Sequence, residues 1–151
     1  MNVGDICVRN VVTVRESDEL TKAAAVMRER HVGYLVVIEP KAGESDFVPI
    51  GVLTDRDIVV GVVAKETDPK ALRVGDLMTR QPVVANENSS LSQALGEMRN
   101  IGVRRIPVVG RGGVLVGVLS LDDILSAISE ELLGVAGSVR KELTMEKALR
   151  P

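Results

Sequence analysis

The sequence predicts an α/β (α+β) protein in which two β-α-β-β-α units pack sheet to sheet about a pseudo-twofold axis. The first observation behind this is an internal repeat: Val3–Ile38 aligns without a gap onto Val74–Val109, an offset of 71. A second block aligns at an offset of 66, with Gly51-Val52-Leu53 on Gly117-Val118-Leu119 and Asp57-Ile58 on Asp123-Ile124. The second observation is composition. The chain is 45% hydrophobic, yet Tyr34 and Phe47 are its only aromatic residues, so the interior must be aliphatic and rich in β-branched side chains, which favours layered strands and helices. The third is that hydrophobic periodicity changes from strand-like to helix-like in the same order in both copies. One such unit has about three strands and a sheet face it cannot cover alone, so two units should pair.

Each element follows from local pattern. Val11–Val14 reads as a short strand. Ser17 is a plausible N-cap, and Leu20, Ala23, Ala24 and Met27 then fall at i, i+3, i+4 and i+7, the stripe of an amphipathic helix. Leu91, Ala94, Leu95 and Met98 repeat it. A methionine at the end of each stripe suits core filling. Tyr34–Ile38 and Val48–Leu53 read as strands, and a second helix begins near Thr54. The Glu39–Pro49 loop with its two prolines accounts for the five-residue difference between offsets, since the second copy turns on Gly110-Arg111-Gly112-Gly113.

These elements divide the chain into repeat 1 (1–64), a charged linker (65–73), repeat 2 (74–133) and a C-terminal extension (134–151). In the extension, Leu143, Met145 and Ala148 among alternating charges suggest an added helix over Ser138–Leu149.

Charge and chemistry exclude several classes. Lys plus Arg number 19 against 21 Asp plus Glu, and no basic block exceeds the pair Arg104-Arg105, so nucleic acid is not an expected partner. No apolar run approaches the roughly 18 residues of a membrane span. The lone Cys7, with no secretory leader in view, points to a reducing cytoplasm. His31 is the only histidine, and no nucleophile elbow, Cys-x-x-Cys or His-Glu-x-x-His appears, so neither catalytic residues nor a metal site is expected. His31 suits the end of the first helix, where a cation complements the dipole.

The informative motif occurs twice, as Gly51-Val52-Leu53-Thr54-Asp55-Arg56-Asp57 and as Gly117-Val118-Leu119-Ser120-Leu121-Asp122-Asp123. Each is a strand that ends in a hydroxyl residue with an aspartate three positions on. One meaning is a helix cap. Another is a ligand site, because a carboxylate grips vicinal hydroxyls and helix-end amides receive anions, a combination that suits a ribose phosphate. The two meanings are compatible.

Together with Val-Gly-Asp-Leu-Met-Thr at 74–79 and Val-Arg-Arg-Ile-Pro-Val-Val at 103–109, these segments resemble the CBS-domain pair, or Bateman module, from about Val3 to Leu133. The resemblance implies a regulatory fold without catalytic activity that binds AMP, ADP or ATP, or alternatively S-adenosylmethionine or NAD. It also implies disc-like homodimers. With no catalytic, transport or DNA-binding domain beside the repeats, the expected effector is a separate protein or the module's own oligomer. The resemblance implies a first site of Val52, Thr54, Arg56 and Asp57 with Pro82, Val83, Val103, Arg104 and Arg105. A second site would use Val118, Ser120, Asp122 and Asp123 with Val11, Val12, Val32, Gly33 and Tyr34. Three arginines favour phosphates at the first, while Asp122 and the replacement of Pro107 by Val36 in repeat 1 make the second the weaker expectation. The competing expectation is a nucleotide-independent interaction module that dimerises through Leu125, Ile128, Leu132 and Leu133, with both motifs acting only as caps.

Overall fold

The computed structural model describes residues 1–150 and holds two sheets, each backed by helices. The first unit contains β1 (Thr13–Arg15), α2 (Leu20–Arg30), β2 (Tyr34–Pro40), β3 (Phe47–Thr54) and α3 (Asp55–Ile58), preceded by one helical turn, α1 (Val3–Ile6). The chain leaves α3 through a wide π-type turn, Val59–Val63. The second unit repeats the order with α4 (Val74–Leu77), β4 (Thr79–Arg80), β5 (Ala85–Asn86), α5 (Leu91–Ile101), β6 (Arg105–Val109), β7 (Leu115–Ser120) and α6 (Leu121–Leu149). β1 runs parallel to β2 and β5 to β6, while β2–β3 and β6–β7 are antiparallel. The sheets meet where β3 lies against β7.

The units exchange their opening segments. Val74 and Met78, from the second repeat, are buried in the first core with Leu20, Leu35, Val37 and Leu53. Reciprocally, Val3 is buried in the second core with Met98, Ile106, Leu119 and Ile124. The hydrogen bonds obey the same symmetry. Val3 and Gly4 amides donate to Ser89 and Glu87 carbonyls, while Val74 and Gly75 amides donate to those of Asp18 and Glu16. Beyond each turn the crossing chain joins the other sheet: β4 pairs with β3 through Thr79 and Val52, and Val8 bridges Val118. Glycine is required where the crossing backbone arrives. A Cβ on Gly51 would stand 2.8 Å from Met78 Sδ and 3.0 Å from the Thr79 carbonyl, and one on Gly117 2.8 Å from Cys7 Sγ and 3.0 Å from the Val8 carbonyl.

Several elements differ from their sequence expectation. The first strand is Thr13–Arg15 rather than Val11–Val14, and Val12 packs against the first core. Helix α2 is capped not by Ser17 but at Glu19, because the Asp18 carboxylate closes a turn onto the Arg15 amide and the Leu20 amide donates to the Leu72 carbonyl. In the second copy Ser90 does cap α5, accepting from the Gln93 amide. The segment 65–73 therefore lies on the first unit, with Asp68 capping a short 3-10 turn over Pro69–Ala71. The prolines of the long loop sit inside paired strands: Pro40 faces Phe47, and Pro49 meets Ile38 beside a bulge, a position that tolerates a missing donor. The extension is no separate helix, since α6 continues unbroken from Leu121 to Leu149.

His31 ends α2 in the left-handed region at φ 54°, where the second copy has Gly102 at φ 77°. A Cβ is disfavoured there, so His31→Gly is expected to stabilise the protein by about 0.5–1 kcal/mol. A thermal midpoint raised by roughly 2–4 °C would show it, and a lowered midpoint would show that the ring makes a compensating contact.

Candidate functional site

Both hydroxyl-aspartate motifs fold as complete capping boxes. The Thr54 amide donates to Asp57 Oδ2 at 2.8 Å, and the Asp57 amide donates to Thr54 Oγ1 at 3.1 Å. In the second copy the Ser120 amide donates to Asp123 Oδ2 at 2.9 Å, the Asp123 amide to Ser120 Oγ at 3.1 Å, and Ser120 Oγ to Asp123 Oδ2 at 2.5 Å. Each carboxylate thus spends one oxygen on its helix end. Asp123 Oδ1 has no hydrogen-bond partner among the described residues and remains available to a ligand.

Two of the clefts between the units hold residues of the expected sites. The larger of these two, about 290 Å³, is lined by seven of the residues expected for the second site: Val11, Val32, Gly33, Tyr34, Val118, Ser120 and Asp123. Val12 and Asp122 are not on its wall. Asp122 is exposed and stands 3.9 Å from the Arg104 guanidinium, so it adds no charge to the cleft wall. Asn10, His31 and Arg105 line this cleft too. The sequence alone puts Arg105 in the first site and His31 outside both.

The smaller cleft, about 160 Å³, has Val52, Pro82, Val83, Val103 and Arg105 on its wall, with Tyr34, Ile106 and Pro107. Thr54, Arg56, Asp57 and Arg104 are not among its lining residues. Arg56 is exposed, and its amide is held by Asp55 Oδ1. Of the three arginines assigned to the first site, only Arg105 reaches a cleft, and it reaches both.

The symmetry explains this sharing. Tyr34 and Arg105 occupy equivalent positions, 71 residues apart, and each lines both clefts. Burial pushes the Tyr34 phenol well above its ordinary pKa, partly opposed by the nearby Arg105 guanidinium. Tyr34 therefore stays neutral and offers a hydroxyl beside a cation. Gly33 keeps the larger cleft's rim low where the second repeat carries Arg104; a Cβ there would stand 2.5 Å from an Asp55 carboxylate oxygen.

A cleft between symmetric units that gathers apolar strand residues, a carboxylate with a free oxygen and one guanidinium defines a ligand-binding module. The chain belongs to the CBS domain family, whose model matches residues 3–63 and 74–130. Hypoxic response protein 1 of Mycobacterium tuberculosis is 35% identical over 129 residues, which cover 85% of this chain and 86% of that protein. A protein of Methanopyrus kandleri is 30% identical over 125 residues, and the chain spans only 61% of its length. Among solved structures, CBSX2 in complex with AMP matches with a TM-score of 0.70 and 28% identity, covering 85% of this chain and 96% of that one. Hypoxic Response Protein I with two coordinated zinc ions matches at 0.69 with 33% identity, covering 83% and 98%. In this chain no group of three His, Cys, Asp or Glu side chains converges among the described residues. No helix among them is long and apolar enough to cross a membrane.

Proposed function

We propose that this CBS pair is a regulatory sensor that binds an adenine nucleotide (AMP, ADP or ATP) in the larger cleft and signals through a conformational or oligomeric change to a separate effector. The observation that carries this reading is the convergence of Asp123, Ser120 and Arg105 on one cavity of about 290 Å³. Asp123 Oδ1 suits a ribose diol, Arg105 a phosphate, and Val11, Val32 and Val118 the faces of a purine. The AMP complex of CBSX2 supports the ligand class. The preference between sites is the reverse of the one arginine counting suggests, because Arg56 and Arg104 lie outside the smaller cleft.

Thermal unfolding with AMP, ADP, ATP, S-adenosylmethionine or NAD tests it. A ligand at 100 times its dissociation constant adds about 2.7 kcal/mol, a rise of roughly 5–10 °C for a chain of this size. Asp123→Ala is expected to lose most of that rise and Asp57→Ala to keep it, each measured against its own ligand-free midpoint. Loss only in Asp57→Ala would move the ligand to the smaller cleft. No shift with any compound would leave both motifs as caps alone and favour the nucleotide-independent interaction module.

A further inference from the structure

Helix α6 outruns the body of the protein. Ile124 and Ala127 are its last buried residues, and every residue from Ile128 to Leu149 is exposed. Residues 129–149 would extend about 30 Å at the rise of an α-helix. This segment is not uniformly polar. Leu125, Ile128, Leu132, Val135, Val139 and Leu143 follow one another at spacings of three or four, and all are at least 41% exposed. At 100° per residue they fall within an arc of about 80°, a single stripe along the helix.

The charges beside the stripe are sorted by sign. Between Leu125 and Lys147, Glu131 and Glu142 border one side and Arg140 and Lys147 the other, while Glu146 lies at the acidic edge of the stripe's last turn and pairs with Arg150. This sorting selects a partner. Two identical helices packed in parallel bring the left flank of one against the right flank of the other, so acid meets base. Packed antiparallel, they would bring like flanks together. In the parallel pair Glu142 lies five residues before Lys147, the offset at which flanking residues of facing helices meet.

We infer that the apolar stripe of α6 is a docking surface for the same stripe of a second copy of this chain, in parallel and in register. The mean stripe spacing of 3.6 residues matches a straight helix, so the two run side by side with little supercoiling. The arrangement involves neither cleft and holds whether or not a nucleotide binds.

Single-cysteine cross-linking of the full chain tests it. In a Cys7→Ser background, Leu143→Cys is expected to give a covalent dimer under mild oxidation, because a parallel pair in register brings the two copies of this position together. Lys141→Cys, on the opposite face, is expected to stay monomeric. Adding Val139→Glu to the Leu143→Cys chain is expected to weaken association by roughly tenfold or more, and the exposed position makes unfolding no explanation. Glu142→Lys is expected to weaken association, and Glu142→Lys with Lys147→Glu to restore it. Equal cross-linking at 141 and 143, cross-linking at neither, or a double swap that restores nothing would overturn the proposal. A dimer held only through the body of the protein, or a different protein bound to α6, would appear as absent cross-linking at 143.

Discussion

Aspartate at Val74 is expected to destabilise the protein by about 4 kcal/mol or more, a large part of the 5–15 kcal/mol available to a domain. Val74 is fully buried, and the core it enters is that of the other repeat, among Leu20, Leu35 and Leu53. A carboxylate there would have no cation and no donor to replace water. The readout can be specific. Tyr34 is the only tyrosine and lies in β2, so its fluorescence reports on the first unit, although the substitution falls in the second repeat's sequence. Val3→Asp is the mirror experiment, since Val3 is fully buried in the second core. A Val74→Asp protein with an unchanged midpoint and unchanged Tyr34 signal would contradict the exchange of opening segments.

Removing the Arg105 side chain is expected to weaken AMP or ATP binding by roughly 10- to 150-fold while leaving adenosine almost unaffected. A hydrogen bond to a charged group is worth about 1.5–3 kcal/mol, which is the origin of that range. The split between nucleotide and nucleoside matters, because a general loss of cleft shape would penalise both. Arg104 is the internal control: its side chain is 78% exposed beside Asp122, and Arg104→Ala is expected to change nucleotide affinity little. Isothermal titration of the three proteins decides. Equal losses for Arg104→Ala and Arg105→Ala would mean that the phosphate sits outside the clefts. Equal losses for adenosine and AMP in Arg105→Ala would mean that the side chain shapes the cavity rather than holding an anion.

Much of the fold was legible because the chain states its pattern twice. Leu20, Ala23 and Met27 and their counterparts Ala94 and Met98 are buried as the stripe spacing requires, whereas Ala24 and Leu91 are half-buried and Leu95, expected on the same stripe, is 39% exposed. Thr54 and Ser120 begin their helices as hydroxyl caps. The exchange of opening segments was hidden for a physical reason: burial pattern marks Val3 and Val74 as core residues but carries no information on which core receives them. The start of α2 was misplaced because its first amide is satisfied by Leu72, over 50 residues away, rather than by a local side chain. Pro40 reads as a loop residue yet ends β2 opposite Phe47, while the bulge at Val37 and Ile38 accommodates Pro49 within β3. At the site, Asp123 and Ser120 were legible from local motif. Arg105 was assigned to one cleft because a linear sequence cannot show that its position lies beside the pseudo-twofold, where one side chain serves two cavities.

The crossed opening turns also constrain how the chain folds as it is made. The first sheet lacks β4 along its outer edge, and its core lacks Val74 and Met78, until residue 80 has been synthesised. At about 5–20 residues per second, the gap after β3 emerges lasts on the order of seconds. Throughout that interval Gly51 and Val52 present an unpaired strand edge, the kind of surface that recruits chaperones or neighbouring chains. The turn around Val3 is translated more than 100 residues ahead of Leu119 and Ile124, which complete its seat, so it is one of the last segments to be buried. Slowing translation between β3 and α4 is therefore expected to promote misassembly more than the same delay placed after α6 has begun.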